Sequence, residues 1–338
     1  MTAGKQQYSL WDDLDLFDVG SSGAIPSEWR GKKALYLDKM NSALFLRDEV
    51  RFDAFRLQAE VAIPGEVGFI GLVFGAQDPD NYELVYLAPV EIQYDPVMNG
   101  SMTWQIYHGP SYQKPLPDTR GVWHKLSLEV QPEGVRVYFG ESTEPALIIS
   151  RLQHGGRRLG KVGVWSFLPG YIRNLAIEEI APAFIQPDTT DFNKLKSESF
   201  ITEWYVSSPL LQDGAQDQIW TKALVEENGT LNINRLYQAA PGATAVVRSE
   251  IVVEEEVEAV LTLGYSDSIR LWINGEEVYQ GDWYWSPPSH DGRIRPDYAN
   301  VPVKWKQGVN TIRAEVSQRE SFGWGLAVRT GLSHTVIY

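Results

Sequence analysis

Short runs of alternating or continuous apolar residues, punctuated by Gly, Pro, Asn and Asp, extend over most of this chain. Long helical periodicity is nearly absent, so the pattern predicts strands. In the first half, strands are expected at 34–37, 43–46, 55–62, 68–74, 82–87, 104–107, 123–130, 135–139, 161–166 and 172–180. Alternation is cleanest in "HKLSLEVQ", where Leu126, Leu128 and Val130 share one face, as in an antiparallel sheet with one buried side. A second series is expected at 204–206, 229–233, 245–253, 259–263, 269–273, 277–279, 301–305, 311–316 and 324–330. Between residues 181 and 200 the pattern lapses into "APAFIQPDTTDFNKLKSESF", with two prolines and few β-branched residues. The expectation is an all-β chain of two β-sandwich domains in tandem, residues 1–181 and 200–338, joined by a linker at 182–199.

Two turns carry register information. In "RLWINGEEVYQ" the Asn274-Gly275 pair is the preferred two-residue hairpin turn, and a regular ladder puts Leu271 opposite Val278. The second turn, Asn99-Gly100, lies in "EIQYDPVMNGSMTWQIYHGPSYQ". Along its first run Glu91, Gln93 and Asp95 share a face, with Val90, Ile92 and Tyr94 on the other; along its second, Thr103, Gln105 and Tyr107 oppose Trp104, Ile106 and His108. A two-residue turn would set Gln93 against Ile106. An odd-length loop would align Glu91 and Gln93 with Gln105 and Tyr107, giving one polar-aromatic face and one apolar face. Pro96 interrupts the ladder, which favours the odd-length loop.

The chain has 338 residues, enough for two ordinary domains, and 43% of them are hydrophobic, so each can bury a core. The formal net charge of −14 argues against nucleic acid, an anionic membrane surface or a polyanionic glycan as the main partner, and leaves neutral or cationic ligands. Twelve Trp and 16 Tyr suit both sandwich cores and sugar-stacking platforms. The absence of Cys removes disulfides, thiolate metal sites and cysteine nucleophiles. It fits a bacterial cytoplasm, or secretion with a signal already removed, since no segment here resembles a signal peptide or a membrane span.

Residues 8–181 resemble the concanavalin A-like (laminin G-like) jelly-roll sandwich. The matching phrases are "FRLQAEVAI", "GFIGLVFGAQDPDNYELVYL", "VWHKLSLEV", "VRVYFG" and "GKVGVWSFLPGYIRNLAI", in family order. "VYLAPVEIQYDPVMNGSMTWQIYHG" is similar to a segment of one uncharacterised bacterial branch. Residues 200–331 resemble a galactose-binding-like β-sandwich, through "ITEWYVSSPL", "LGYSDSIRLWINGEEVYQGD", "KQGVNTIRAEVSQ" and "GWGLAVR". The first resemblance implies lectins, glycan-binding modules, glycosidases or lyases; the second implies a sugar-related setting. The laminarinase-type branch carries its acid and nucleophile as E-x-D-x-x-E, and this chain lacks that motif, so that activity is not carried over.

No other catalytic signature is present. The five histidines show no H-x-H or H-E-x-x-H spacing, so no metal or other cofactor is expected beyond a structural calcium that Asp12, Asp13 and Asp15 or Asp78 and Asp80 could ligate; turn capping is the plainer reading of those carboxylates. Two candidate sites remain. The first is the 91–108 hairpin, with Glu91, Gln93, Gln105 and Tyr107 as hydroxyl-binding groups and Glu91, Asp95 and His108 as candidates for acid–base work. The second is the long loop "GDWYWSPPSHDGRIRPDYANV", where Trp283 and Trp285 could stack on a sugar and His290 and Asp291 bind its hydroxyls; the alternative is that these aromatics pin the loop to its own domain or bury against the first domain. The leading expectation is a carbohydrate-binding protein that recognises a neutral saccharide or glycoside on the concave face of the first sandwich. The alternatives are a glycoside hydrolase or lyase acting through the 91–108 hairpin, and a non-catalytic protein-interaction module.

Overall fold

The computed structural model describes residues 4–20, 22–155, 159–209, 219–332 and, for the backbone, 336–337. The chain is almost entirely β, as expected, and it divides into two compact units. The first comprises Met1–Val97 and Tyr107–Asp188; the second comprises Met98–Ile106 and Thr189–Tyr338. The nine residues Met98–Ile106 thus belong to the second unit, where the sequence had suggested an unbroken first domain.

The first unit is a sandwich of two antiparallel sheets. One runs in the order Leu147–Ile149, Val135–Phe139, His124–Val130, Phe55–Ala62, Gly170–Glu179, Lys32–Leu37, Ile25–Trp29, with Lys5–Tyr8 also paired to Gly170–Glu179. Its strands alternate, as Phe55–Ala62 shows: Leu57, Ala59 and Val61 are buried while Arg56, Gln58 and Glu60 are half-buried. The second sheet runs Asn81–Ala88, Phe69–Asp78, Lys161–Phe167, Ser42–Leu46, Phe17–Asp18, with Glu91–Tyr94 and Gln113–Pro115 beyond Asn81–Ala88. Its central strands are buried on both faces, which explains why "GFIGLVFGA" reads as a continuous apolar run. Leu72, Val85, Val164 and Leu44 lie on one face of it, and Leu57, Leu128 and Ile172 supply the other half of the core.

The opposite face of the second sheet is lined with rings. Tyr86 meets Trp165 at 5.2 Å, Trp165 meets Phe167 at 6.3 Å, and Phe45 meets Tyr82 at 5.5 Å. Gly71 pairs with Tyr86 on one side and Trp165 on the other, so those two rings close over a position with no side chain. A Cβ there would stand 2.1 Å from the Val85 carbonyl oxygen and 2.6 Å from the Tyr86 Cβ. Gly71→Ala should therefore lower the unfolding free energy by about 1–3 kcal/mol, the usual cost of overpacking, as read by urea denaturation.

The second unit is also a two-sheet sandwich. Its larger sheet runs Trp220–Leu224, Glu203–Ser207, Thr244–Val253, Gly308–Ser317, Ser268–Ile273, Glu276–Asp282; the smaller runs Thr230–Asn232, Gly325–Arg329, Val257–Ser266, Ala299–Trp305. Trp204, Trp305 and Trp324 are fully buried between them with Val247, Leu271 and Leu326. Within the expected linker lies a short helix, Phe192–Ser197, whose first turn is capped by the Asp191 carboxylate accepting from the Lys194 N–H at 3.0 Å. Asn274 and Gly275 both have positive φ, as the two-residue turn requires. The ladder behind that turn differs from expectation: Trp272 pairs with Glu277 and Leu271 with Tyr279, so Val278 is bulged out and Leu271 does not face it.

Among the described residues, no helix is long and apolar enough to cross a membrane.

Candidate functional site

On the ring-lined face of the first unit, alternate residues of neighbouring strands point the same way. That alternation places Ala43 and Phe45, from one strand, and Tyr82, from another, on the floor of a cleft of about 770 Å³. Two turns and a pair of strand residues raise its walls. The 39–42 turn contributes Lys39, Met40 and Asn41; the 77–80 turn contributes Gln77, Asp78, Pro79 and Asp80; Asp18 and Lys161 close the remaining side. Each wall is tied to the sheet or to its neighbour. Asn41 adopts positive φ, and its side-chain oxygen accepts from the Trp165 indole at 2.8 Å. Asp78 accepts from the Asp80 N–H at 2.8 Å and the Asn81 amide at 3.1 Å, and the Gln77 amide donates to the Leu159 carbonyl. Asp78 thus performs the turn capping that its "QDPDN" setting suggests, as Asp13 does for the N–H groups of Ser9 and Leu10.

The cleft is close to electrically balanced, with Asp18, Asp78 and Asp80 set against Lys39 and Lys161. Lys161 donates to Asp18 at 2.7 Å, and that hydrogen bond, with the charges of Lys161 and Arg47, holds the Asp18 carboxyl below its usual value. Burial, and then the charges of Asp95 and Asp80, push the Tyr82 hydroxyl up, so its ring is a neutral floor at any ordinary pH. Among the described residues, no three His, Cys, Asp or Glu side chains are grouped so as to hold a metal ion.

The 91–108 hairpin is not built as the sequence suggested. Asn99-Gly100 is a plain two-residue turn with both φ angles positive, joining the two-residue strands Val97–Met98 and Ser101–Met102. Glu91–Tyr94 pairs instead with Gln113–Pro115, Gln93 facing Gln113 and Glu91 facing Pro115. Residues 104–107 form no strand. The physical reason is that this backbone finds partners far along the chain: the Met102 N–H donates to the Ser321 carbonyl at 2.8 Å and the Gln105 N–H to that of Phe322 at 3.1 Å.

The individual candidates scatter accordingly. Gln93, Asp95, Gln105 and Tyr107 are buried, while Glu91 and His108 are half-buried. Gln105 belongs to the second unit, where its amide donates to Glu320 at 2.9 Å and its side-chain oxygen accepts from Ser266 at 2.7 Å. Tyr107 packs edge-on against Tyr112 at 5.4 Å. Glu91 accepts from the Gln113 amide at 3.4 Å. Glu91 and Gln93 are therefore not aligned with Gln105 and Tyr107 in one polar-aromatic face.

The second candidate loop does bring its residues together. Trp285–Ser286 and His290–Asp291 form a small hairpin, with Trp285 opposite Asp291 and Ser286 opposite His290. Trp283 lies against Tyr298 at 4.0 Å and His290 at 4.6 Å, and its indole donates to the Arg293 carbonyl at 3.0 Å. Asp291 takes both Arg295 guanidinium nitrogens, at 2.8 and 2.5 Å. Burial opposes the Asp291 charge, but the Arg295 and Arg293 interactions outweigh it and hold the carboxyl low. These aromatic and ionic contacts pin the loop onto its own unit, with Trp285 left partly exposed.

A further polar cluster, formed by Glu83, Tyr94 and His154, joins residues far apart in sequence. Glu83 is fully buried in the core of the first unit. It accepts from the Tyr94 hydroxyl at 2.6 Å and from the His154 N–H at 3.0 Å, and the His154 ring nitrogen Nδ1 lies 3.0 Å from the same oxygen. The Tyr94 oxygen in turn accepts from the Gln153 N–H at 2.9 Å. Burial pushes the Glu83 carboxyl up, yet the His154 and Tyr94 interactions outweigh it and leave it below its ordinary value. The readable signal was a carboxylate inside the otherwise apolar strand "NYELVYL".

No protein-family model and no curated protein matches this sequence. Among solved structures, the chain is similar to the carbohydrate-binding module CBM66 from Bacillus subtilis, at 12% identity over 48% of this chain and 96% of that one, with a TM-score of 0.37. It is also similar to a Bacillus subtilis protein of unknown function with a galectin-like fold, at 10% identity over 54% and 98% of the two chains and a TM-score of 0.39. A third is the Crh5 transglycosylase in complex with NAG, at 15% identity over 54% and 87%, with a TM-score of 0.37. These similarities are low, and the β-sandwich assignment rests on the sheets themselves.

Proposed function

We propose that this protein binds a neutral saccharide or glycoside in the cleft of its first unit and releases it unchanged. The observation that carries the reading is the composition of that cleft: an aromatic floor of Phe45 and Tyr82 under walls of carboxylate, amide and ammonium groups in near charge balance. A pyranose has an apolar C–H face that suits the rings and hydroxyls that need both donors and acceptors, which Asn41, Gln77, Asp78 and Lys161 provide. The balance of charge disfavours a strongly ionic ligand. A glycosidase needs a carboxylic acid that keeps its proton near neutral pH. In this cleft Asp18 is held in the opposite direction by its hydrogen bond to Lys161 and is unsuited to be that acid. Hydrogen exchange tests the location: a bound neutral saccharide should slow exchange in residues 39–45 and 76–82, whereas protection confined to other parts of the first unit would place the site elsewhere.

A further inference from the structure

The outer face of the larger sheet in the second unit carries an arrangement that folding alone does not call for. One rung across adjacent strands reads Tyr205, Arg248, Arg313, Trp272: Tyr205 pairs with Arg248, Arg248 with Arg313, and Arg313 with Trp272. Two arginines directly opposite each other on neighbouring strands repel. Here each is instead fixed by stacking, Arg248 over Trp220 at 4.1 Å and Arg313 over Trp272 at 4.4 Å. Arg313 also donates to Glu315 at 2.6 Å. Arg248 is exposed and has no carboxylate partner among the described residues. Stacking on Trp220 holds the guanidinium group at this face, and its planar set of N–H donors suits a planar carboxylate. Both arginines border a cleft of about 420 Å³ that Glu250, Trp272 and Thr311 also line.

We propose that this face is a binding site for uronic-acid saccharides, with the sugar carboxylate held between Arg248 and Arg313, hydroxyls on Thr311 and Glu250, and the pyranose ring beside Trp272. The site is independent of the cleft in the first unit. It reverses, locally, the expectation drawn from the net charge of −14. An acidic peptide strand is a poorer occupant, because peptides recognised by sheets take main-chain hydrogen bonds from an edge, and the rung crosses interior strands whose backbone groups are already paired. A phosphate or sulfate ester is a poorer occupant too, since Glu250 in the same cleft repels a strong anion more than a single carboxylate.

The test is calorimetric titration of the full chain with oligogalacturonate, oligoglucuronate and oligomannuronate, with the methyl ester of each, and with a sulfated neutral oligosaccharide. At least one free acid should bind, more weakly at high salt, and its ester should bind about tenfold or more weaker. Arg248→Gln should weaken the acid by about tenfold or more without moving the thermal midpoint, while Ala43→Trp, in the first unit, should leave it unchanged. The proposal is overturned if none of the three acids binds, if acid and ester bind alike, if Arg248→Gln binds as tightly as the parent, or if the sulfated probe binds in preference.

Discussion

Replacing His154 by alanine should lower the unfolding free energy of the first unit by about 1–3 kcal/mol at neutral pH, the cost of removing one hydrogen-bond partner from a buried carboxylate. Glu83 is wholly inside the protein, and its ionised form is supported by His154 and by the Tyr94 hydroxyl. Glu83→Gln should cost less, about 1 kcal/mol, because it removes the charge along with the need for a partner. The pH dependence has a defined sign. The Glu83 carboxyl lies below its reference value of 4.5 in the folded protein, so its contribution is complete above about pH 4.5 and is lost as pH falls through the lower folded value. Without the His154 side chain, burial is opposed only by the Tyr94 hydroxyl and the backbone N–H at position 154, so the folded value moves up from where it lies in the parent. The deficit of His154→Ala should therefore shrink as pH is lowered from neutral through the acid range in which Glu83 takes up its proton. Urea denaturation across that range measures it, and a deficit that stays constant would show that the carboxylate is not its source.

Ala43→Trp should weaken saccharide binding by about tenfold or more while leaving the fold intact. Ala43 lies on the cleft floor, directly across from Trp165 on the neighbouring strand, and it is only partly buried. An indole at this position would occupy the space above Phe45 and Tyr82 that the sugar ring needs. Because the added side chain extends into the cleft and not into the core between the sheets, its thermal midpoint should stay within a few degrees of the parent protein. Isothermal titration with the tightest neutral ligand and a thermal scan together separate the two effects. Equal affinity in parent and variant would show that sugar does not enter this cleft.

The all-β architecture was legible because strand periodicity is a local property. The alternation of Leu126, Leu128 and Val130 is reproduced by a strand, His124–Val130, that buries those side chains. The two-residue turn at Asn274-Gly275 was equally local, since it depends on two residues that tolerate positive φ. What failed depended on partners far away in sequence. Residues 104–107 have strand-like composition, yet the Gln105 N–H is taken by Phe322, more than two hundred positions on. Nothing within "SMTWQIYHG" could reveal that acceptor. The bulge at Val278, which sets Leu271 opposite Tyr279, was likewise not visible in the turn residues themselves.

The cleft was illegible for the same reason, because its lining comes from residues 18–20, 22, 39–43, 45, 76–80, 82 and 161. Only the topology that sets Ser42–Leu46 beside Lys161–Phe167, and Lys161–Phe167 beside Phe69–Asp78, brings them together. "FGAQDPDNYELV" drew notice as a fold signature, and its turn also forms one wall of the cleft. The long loop after Asp282 was recognisable as a structured aromatic segment, and the alternative weighed for it, anchoring to its own unit, describes how Trp283 is held. Arg248 and Arg313 are ordinary surface residues in sequence, and they become notable only when the register places them side by side.

The central claim is recognition of a neutral saccharide without chemical change. The most direct measurement is a panel of neutral oligosaccharides and aryl glycosides, titrated against parent protein and Ala43→Trp, with every incubation analysed for released sugar or aglycone. The account predicts that at least one neutral member binds the parent, is recovered intact, and binds the variant about tenfold or more weakly. Failure of every neutral saccharide to bind, or recovery of a bound glycoside as cleaved products, would contradict it.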